Sequence, residues 1–283
     1  MTFLVQITDT HILHDGELLY GSTDTAAHLS EVVQQINNMQ PTPDMVMITG
    51  DLVERSHKTC YQRFIELIRP LTMPVYVLPG NHDDPETMLE VFAGTPYFPV
   101  LDDTFQYAVD GLPFRVLALN SHWYGTELPG LDERRLSWLQ NQLNRSNRPV
   151  LLAIHHPPMT TGIEFIDMGG SEWFQGLNSV LSEHPQVRLL ICGHCHTDLS
   201  GRIGPVPVYM APSTAHQLIA ARGLDIAPAT IIAAAPPILH QFIDGDFLSG
   251  SYPWPANVED RRIDKDPGVS WAGLKKSMLG SRS

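Results

Sequence analysis

Apolar residues gather in five short runs, at 3–7, 45–48, 75–78, 150–154 and 187–192, and each run ends in a polar group of residues. Short, mostly apolar runs without alternation are those of strands covered on both faces. Between the first three runs the spacing changes to that of a helix. Leu29, Val32, Val33 and Ile36 recur on one side of a first helix, with Thr23 or Asp24 as its N-cap. A second helix is predicted over 57–68, closed by Pro70, and Pro85 opens a third. The order strand, helix, strand, helix, strand predicts parallel pairing with right-handed crossovers.

The second half keeps the plan without repeating the sequence. Residues 105–109 and 115–119 read as a hairpin through Asp110-Gly111, and Asp132 caps a helix with Leu131 and Leu136 at staple positions. A strand at 150–154, a helix at 171–183 and a strand at 187–192 follow, then a hairpin of 202–203 and 206–210 turned at Gly204-Pro205. Residues 226–237 are rich in Ala and Pro and carry no helical period. The runs 238–243 and 247–252 flank Asp244-Gly245-Asp246 as a last hairpin. The expected organisation is an α/β catalytic domain over 1–215 and a C-terminal hairpin appendage over 216–256, a candidate element for a homo-oligomer. A charged, Gly/Ser-rich and loosely ordered tail over 257–283 completes it.

Composition narrows the partners. The 283 residues are 43% hydrophobic and 17% charged, the balance of a globular chain rather than a disordered one. A formal net charge of −13 argues against a nucleic-acid polymer or an anionic membrane as partner, and bound cations would neutralise part of it. Three cysteines without framework spacing fit a reducing compartment. No apolar run reaches membrane-spanning length, and the first strand starts at once and already carries polar site residues. The expected location is cytoplasmic.

The polar run-ends carry the chemistry. They read Asp9-Thr10-His11, Gly50-Asp51, Gly80-Asn81-His82-Asp83, His155-His156 and Gly193-His194-Cys195-His196. Ligands of open, mostly parallel sheets bind outside the carboxyl ends of the strands. Asp, His, Asn and His delivered to that one edge make a metal centre the economical explanation. Oxygen and nitrogen donors without thiolate suit Mn, Fe, Co or Zn as the divalent ion.

Complete and in order, these blocks resemble the five motif blocks of the calcineurin-like metallophosphoesterases. Leu19-Tyr20-Gly21, Asp83-Asp84 and 211–217 (Ala-Pro-Ser-Thr-Ala-His-Gln) look closest to the bacterial glycerophosphodiesterase and cyclic-nucleotide phosphodiesterase branch. The resemblance implies a four-layer αββα sandwich of two mixed sheets around two divalent metal ions. Asp9, His11 and His196 would hold one ion, Asn81, His155 and His194 the other, and Asp51 would bridge them. Two such cations lower the pKa of a shared water from 15.7 toward ~7, about 12 kcal/mol, and the hydroxide attacks phosphorus in line. His82 resembles the family's histidine that acts on the phosphoryl group without binding metal, and His216 is placed to do similar work. Glu54 stands where purple acid phosphatases carry a tyrosine ligand, so a tyrosinate-bound ferric ion is not expected.

Several of these residues have plainer readings. His156 reads as a structural neighbour of His155, Cys195 as a packed thiol, and Asp83 or Asp84 as a helix cap or a brace for His82. Tyr20, Trp123 and Tyr124 either wall a substrate pocket or pack within loops. The expected reaction is hydrolysis of a small phosphodiester. The alternatives are a phosphomonoesterase or phosphoprotein phosphatase, suggested by Gly50-Asp51-Leu52-Val53-Glu54-Arg55, and a non-catalytic scaffold.

Overall fold

The computed structural model describes residues 2–99, 104–219, 229–231, 233–252, 270, 272–273 and 275–276. Strands β1 (Thr2–Ile7), β2 (Met45–Thr49) and β3 (Val75–Leu78) pair in parallel. Helices α1 (Thr25–Asn37) and α2 (Lys58–Ile68) join them, and α3 (Pro85–Val91) follows β3. Asp24 and Asp84 cap α1 and α3 by accepting from the amides of Ala27 and Thr87.

Alternate strand residues face opposite ways, so this sheet has two apolar faces to cover. Val5, Ile7, Val46, Ile48 and Val77 pack with Leu29 and Ile36 of α1 and Phe64 of α2. Leu4, Met45, Met47 and Leu78 instead meet Val116, Leu151, Leu189 and Ile191 of a second sheet. Fully burying one such side chain stabilises the fold by about 1.5–3 kcal/mol.

The second sheet contains β4 (Tyr107–Val109), β5 (Arg115–Ala118), β6 (Val150–Ala153), β7 (Val187–Cys192), β8 (Leu199–Ile203) and β9 (Val206–Met210). Its order is β4-β5-β6-β7-β9-β8, parallel through the middle with an antiparallel strand at each edge. Leu117, Leu152, Leu190 and Val208 pack outward on Leu139 and Leu143 of α4 (Glu133–Asn144) and Leu177 and Leu181 of α5 (Gln175–Glu183). Helix, sheet, sheet, helix is the four-layer αββα sandwich expected from the motif blocks.

Three details differ from the pattern reading. The helix expected from residue 171 begins at Gln175, because 3-10 turns at Ile166–Gly169 and Glu172–Phe174 precede it, with Gly170 between them at φ +68. A short ribbon of β10 (Gln217–Ile219) and β11 (Ala229–Ile231) lies outside both sheets. The last hairpin, β12 (Ile238–Ile243) and β13 (Asp246–Ser251), joins the first sheet, where β12 pairs antiparallel with β1 and makes that sheet mixed. Met1–Tyr252 forms one unit and Pro253–Ser283 another, and all elements named here belong to the first. The expectation for 257–283 falls almost wholly outside the described residues. No helix among the described residues is long and apolar enough to cross a membrane.

Candidate metal centre

The turns after β1, β2, β3, β6 and β7 bring their polar residues into one cluster. Ligand atoms of Asp9, His11, Asp51 and His196 all lie within 4.8 Å of one another, and all four residues are buried. Next to them, His155 Nε2 is 3.4 Å from Asp51 Oδ2 and 3.0 Å from Asn81 Oδ1. The His194 ring stands 5.1 Å from that of His155, centroid to centroid. Asp51 thus lies between the two groups.

The backbone is bent to achieve this. Asp9, His11, Asp51, His194 and His196 all have positive φ, between 43 and 69. Each such residue costs on the order of 1–3 kcal/mol, and strain of this kind gathers at functional sites. Local hydrogen bonds hold the turns: Asp9 N donates to Gly50 O, His11 N to Asp51 O, and His194 N to the Asp9 carboxylate. Close approach also demands glycine. A Cβ on Gly80 would meet Asp51 Oδ1 at 2.2 Å, and one on Gly193 would meet Asp9 Oδ2 at 2.5 Å.

Three of the histidines have their tautomers fixed by an acceptor at Nδ1. These are Glu54 Oε2 for His11 at 2.8 Å, the carbonyl of His216 for His196 at 3.0 Å, and the carbonyl of Thr49 for His155 at 2.8 Å. A neutral ring that donates from Nδ1 presents a lone pair at Nε2. Yet His11 Nε2 and His196 Nε2 face each other at 3.1 Å, with Asp9 Oδ1 at 3.3 Å from the latter. His155 Nε2 faces two further acceptors, on Asn81 and Asp51. Acceptors that converge without donors repel unless a cation lies among them, so this donor set fits bound divalent metal.

The charges point the same way. Burial opposes ionisation of Asp9, but His196 and His155 outweigh it and bring its carboxyl down to about 2. Burial likewise opposes charge on His155, which the Asp51 and Asp9 carboxylates raise to about 9. Burial and the neighbouring His155 push His194 down to about 3. Proton and metal compete for such groups, so a cation of either kind is favoured there.

A cavity of about 460 Å³ opens over the cluster, with Asp51, Asn81, His82, His194, His196 and His216 in its wall. His82 is anchored by its backbone N to Asp51 Oδ1 at 2.9 Å and by Nδ1 to the Glu54 carbonyl at 3.1 Å. That leaves its Nε2 for the cavity. The His216 ring lies 4.4 Å from that of His196 and edge-on to Tyr20 at 5.3 Å. Burial and the neighbouring histidines push His216 down to about 3. Tyr20 lines the cavity, as do Glu127, Leu128 and Pro129 of the 121–130 loop. Trp123 packs against Gly130 and under Arg135, and Tyr124 stacks edge-on to His122; neither lines the cavity.

Other open readings resolve locally. Asp84 is a helix cap, while Asp83 braces the loop by accepting from Gly80 N, Leu52 N and Tyr61 OH. Cys195 is a buried thiol 3.8 Å from Met210 Sδ. His156 is buried, hydrogen-bonded to Ser121 Oγ through Nδ1, and offers a ligand atom within 4.8 Å of those of His155 and His194. Glu54 gained a role the sequence did not show. It touches both His11 and His82, and no spacing rule links it to a histidine 43 residues upstream.

A sandwich with this cluster at its strand ends defines a metal-dependent phosphoesterase, and comparison with known proteins agrees. The profile of the calcineurin-like phosphoesterase family matches residues 4–198, and the chain belongs to that family. It is 36% identical over 217 residues, 76% of this chain and 79% of the relative, to the probable glycerophosphodiester phosphodiesterase of Arcobacter nitrofigilis. It is 33% identical over 217 residues, 76% of each chain, to the 3′,5′-cyclic adenosine monophosphate phosphodiesterase of Pseudomonas aeruginosa. The fold superposes on a dimetal phosphatase of Danio rerio with a TM-score of 0.60 at 16% identity, covering 89% of this chain and 99% of that one.

Proposed function

We propose that this chain hydrolyses small phosphodiesters with two divalent ions. Asp9, His11 and His196 would hold one ion, Asn81, His155 and His194 the other, and Asp51 would be shared. The observation that carries the reading is the convergence of Nε2 lone pairs and carboxylates described above, with the imidazoles of His11, His155 and His196 pinned from behind at Nδ1. Bound there, the ions supply Lewis-acid polarisation and an acidified water. The chain supplies position and protons. His82 Nε2 is aimed at the phosphoryl group to stabilise its charge or that of the leaving oxygen, and His216 faces it from the His196 side.

Two features favour a diester over a monoester. The cavity extends beyond the ligand cluster to Tyr20, Leu128 and Phe165, which leaves room for a second ester group. Among the described residues no lysine or arginine lines it to offset the additional charge of a monoester dianion. The relatives named as phosphodiesterases support the same choice. Assay of bis(p-nitrophenyl) phosphate against p-nitrophenyl phosphate in Mn²⁺ or Co²⁺ tests it, with higher kcat/KM expected for the diester. A preference for the monoester replaces this reading with a phosphomonoesterase.

A further inference from the structure

One wall of the cavity is not explained by phosphate chemistry. Tyr20, Leu128, Phe165, Ile166, Met168 and Leu218 supply its apolar lining, and among the described residues the carboxylates that line the cavity, Glu127 and Asp51, are joined by no lysine or arginine. Tyr20, Leu128, Phe165 and Met168 keep 66%, 46%, 51% and 54% of their surface exposed. Scattered exposed apolar residues mean little, but a contiguous set at the mouth of a pocket marks a binding surface.

The wall is also built rather than accidental. Phe165 precedes, and Met168 lies within, the 3-10 turn Ile166–Gly169, which is pinned by Asp167, whose carboxylate accepts from Thr161 N at 2.9 Å, Thr161 Oγ1 at 3.0 Å and Gly162 N at 2.9 Å. Spending the polar residue of the turn on its own loop leaves the apolar neighbours for the cavity. The opposing loop is set by Thr126 Oγ1, which accepts from Leu128 N at 3.1 Å. Leu128 and Pro129 then pack close to Gly169 of the turn.

We infer that this wall receives the second ester group of the substrate, and that this group is an alkyl or aryl substituent rather than a polyol or a further phosphate. The inference rests on the diesterase reading. A polyol placed there would lose water against a mostly apolar surface, with Glu127 and the Tyr20 hydroxyl as the polar groups nearest. A second phosphate would face the Glu127 carboxylate with no lysine or arginine in the lining among the described residues. An apolar group gains about fourfold in binding for each methylene it buries, and a gain shared by ground and transition state appears in kcat/KM.

The metal-loaded enzyme is assayed by ³¹P NMR with glyceryl methyl, glyceryl butyl, glyceryl octyl and diglyceryl phosphate, all below micellar concentration. The expected kcat/KM for the butyl ester exceeds those of the methyl and diglyceryl esters by at least about tenfold, from three methylenes partly buried. Phe165→Ser and Met168→Ser, both at exposed positions, are expected to bring the butyl-to-methyl ratio toward one, while Phe165→Leu keeps it high. The ratio is internal to each variant, so a common loss of rate does not mimic the effect. A flat series with diester turnover retained, or a ratio unmoved in both serine variants, overturns the inference and leaves the diesterase standing. Hydrolysis of monoesters alone overturns both.

Discussion

A single carboxylate, Glu54, ties together two histidines for which different roles are proposed. Its Oε2 is 2.8 Å from Nδ1 of His11 and 3.6 Å from Nδ1 of His82. Partners behind a ligand histidine orient it, and their removal costs about 10–100-fold in metal affinity or activity. Glu54→Ala is therefore expected to lower kcat/KM by about that factor, and Glu54→Gln, whose amide oxygen still accepts, to recover most of it. Wild-type activity in the alanine variant would show the contact to be idle. His82 and Asp51 separate by metal content. His82→Ala should lose about 10²–10⁴ in kcat with its metal retained. Asp51→Ala should lose metal and activity together, and two ions still held by that variant would refute the shared-ligand assignment.

At the scale of elements, the strand ends matter because backbone approaches backbone there. A Cβ on Gly80 would lie 2.4 Å from Asp51 N as well as 2.2 Å from its Oδ1, so Gly80→Ala must move the β2 turn itself. The expected result is about 1–3 kcal/mol of lost stability by chemical denaturation, together with weakened metal binding. An alanine variant with wild-type metal content would mean that the turn yields easily. The doubly covered strands and the Asp132 cap were legible in the sequence, and the caps of α1 and α3 were narrowed to one of two neighbours each, because their causes are local: short apolar runs and a polar residue at the right offset. The residues that gather in the candidate site were legible as a group because each follows such a run. The acceptors behind His155 and His196 were not, since they are the backbone carbonyls of Thr49 and His216, which any residue could supply. Pairing of β12 with β1 was hidden for a related reason, as nothing local marks a partner at the far end of the chain.

At the scale of the whole molecule, that pairing places a polar chain between the two sheets. Gln6 Nε2 on β1 donates to Thr49 Oγ1 at 2.8 Å and to the carbonyl of Cys192, across on β7, at 2.9 Å. Its Oε1 is then left to accept from Nε2 of His240 at 2.9 Å, and His240 Nδ1 accepts from Ser249 Oγ at 2.7 Å. Fully satisfied buried networks of this kind hold elements in register, and here the network joins both sheets through the last hairpin. It also makes the fold sensitive to acid. Burial alone pushes His240 down to about 3 from an ordinary 6.5. Below 6.5 the unfolded chain takes up a proton at this residue that the folded one refuses, so stability is complete above that value and drains away as the pH falls toward 3. Between 6.5 and about pH 5 the loss from this one residue is about 2 kcal/mol. Urea unfolding of wild type and His240→Gln at neutral pH and at about pH 5 isolates it, because every other titrating histidine is common to both proteins. The variant should lose about 2 kcal/mol less than wild type over that interval, and parallel losses would mean that His240 is not the group that senses acid.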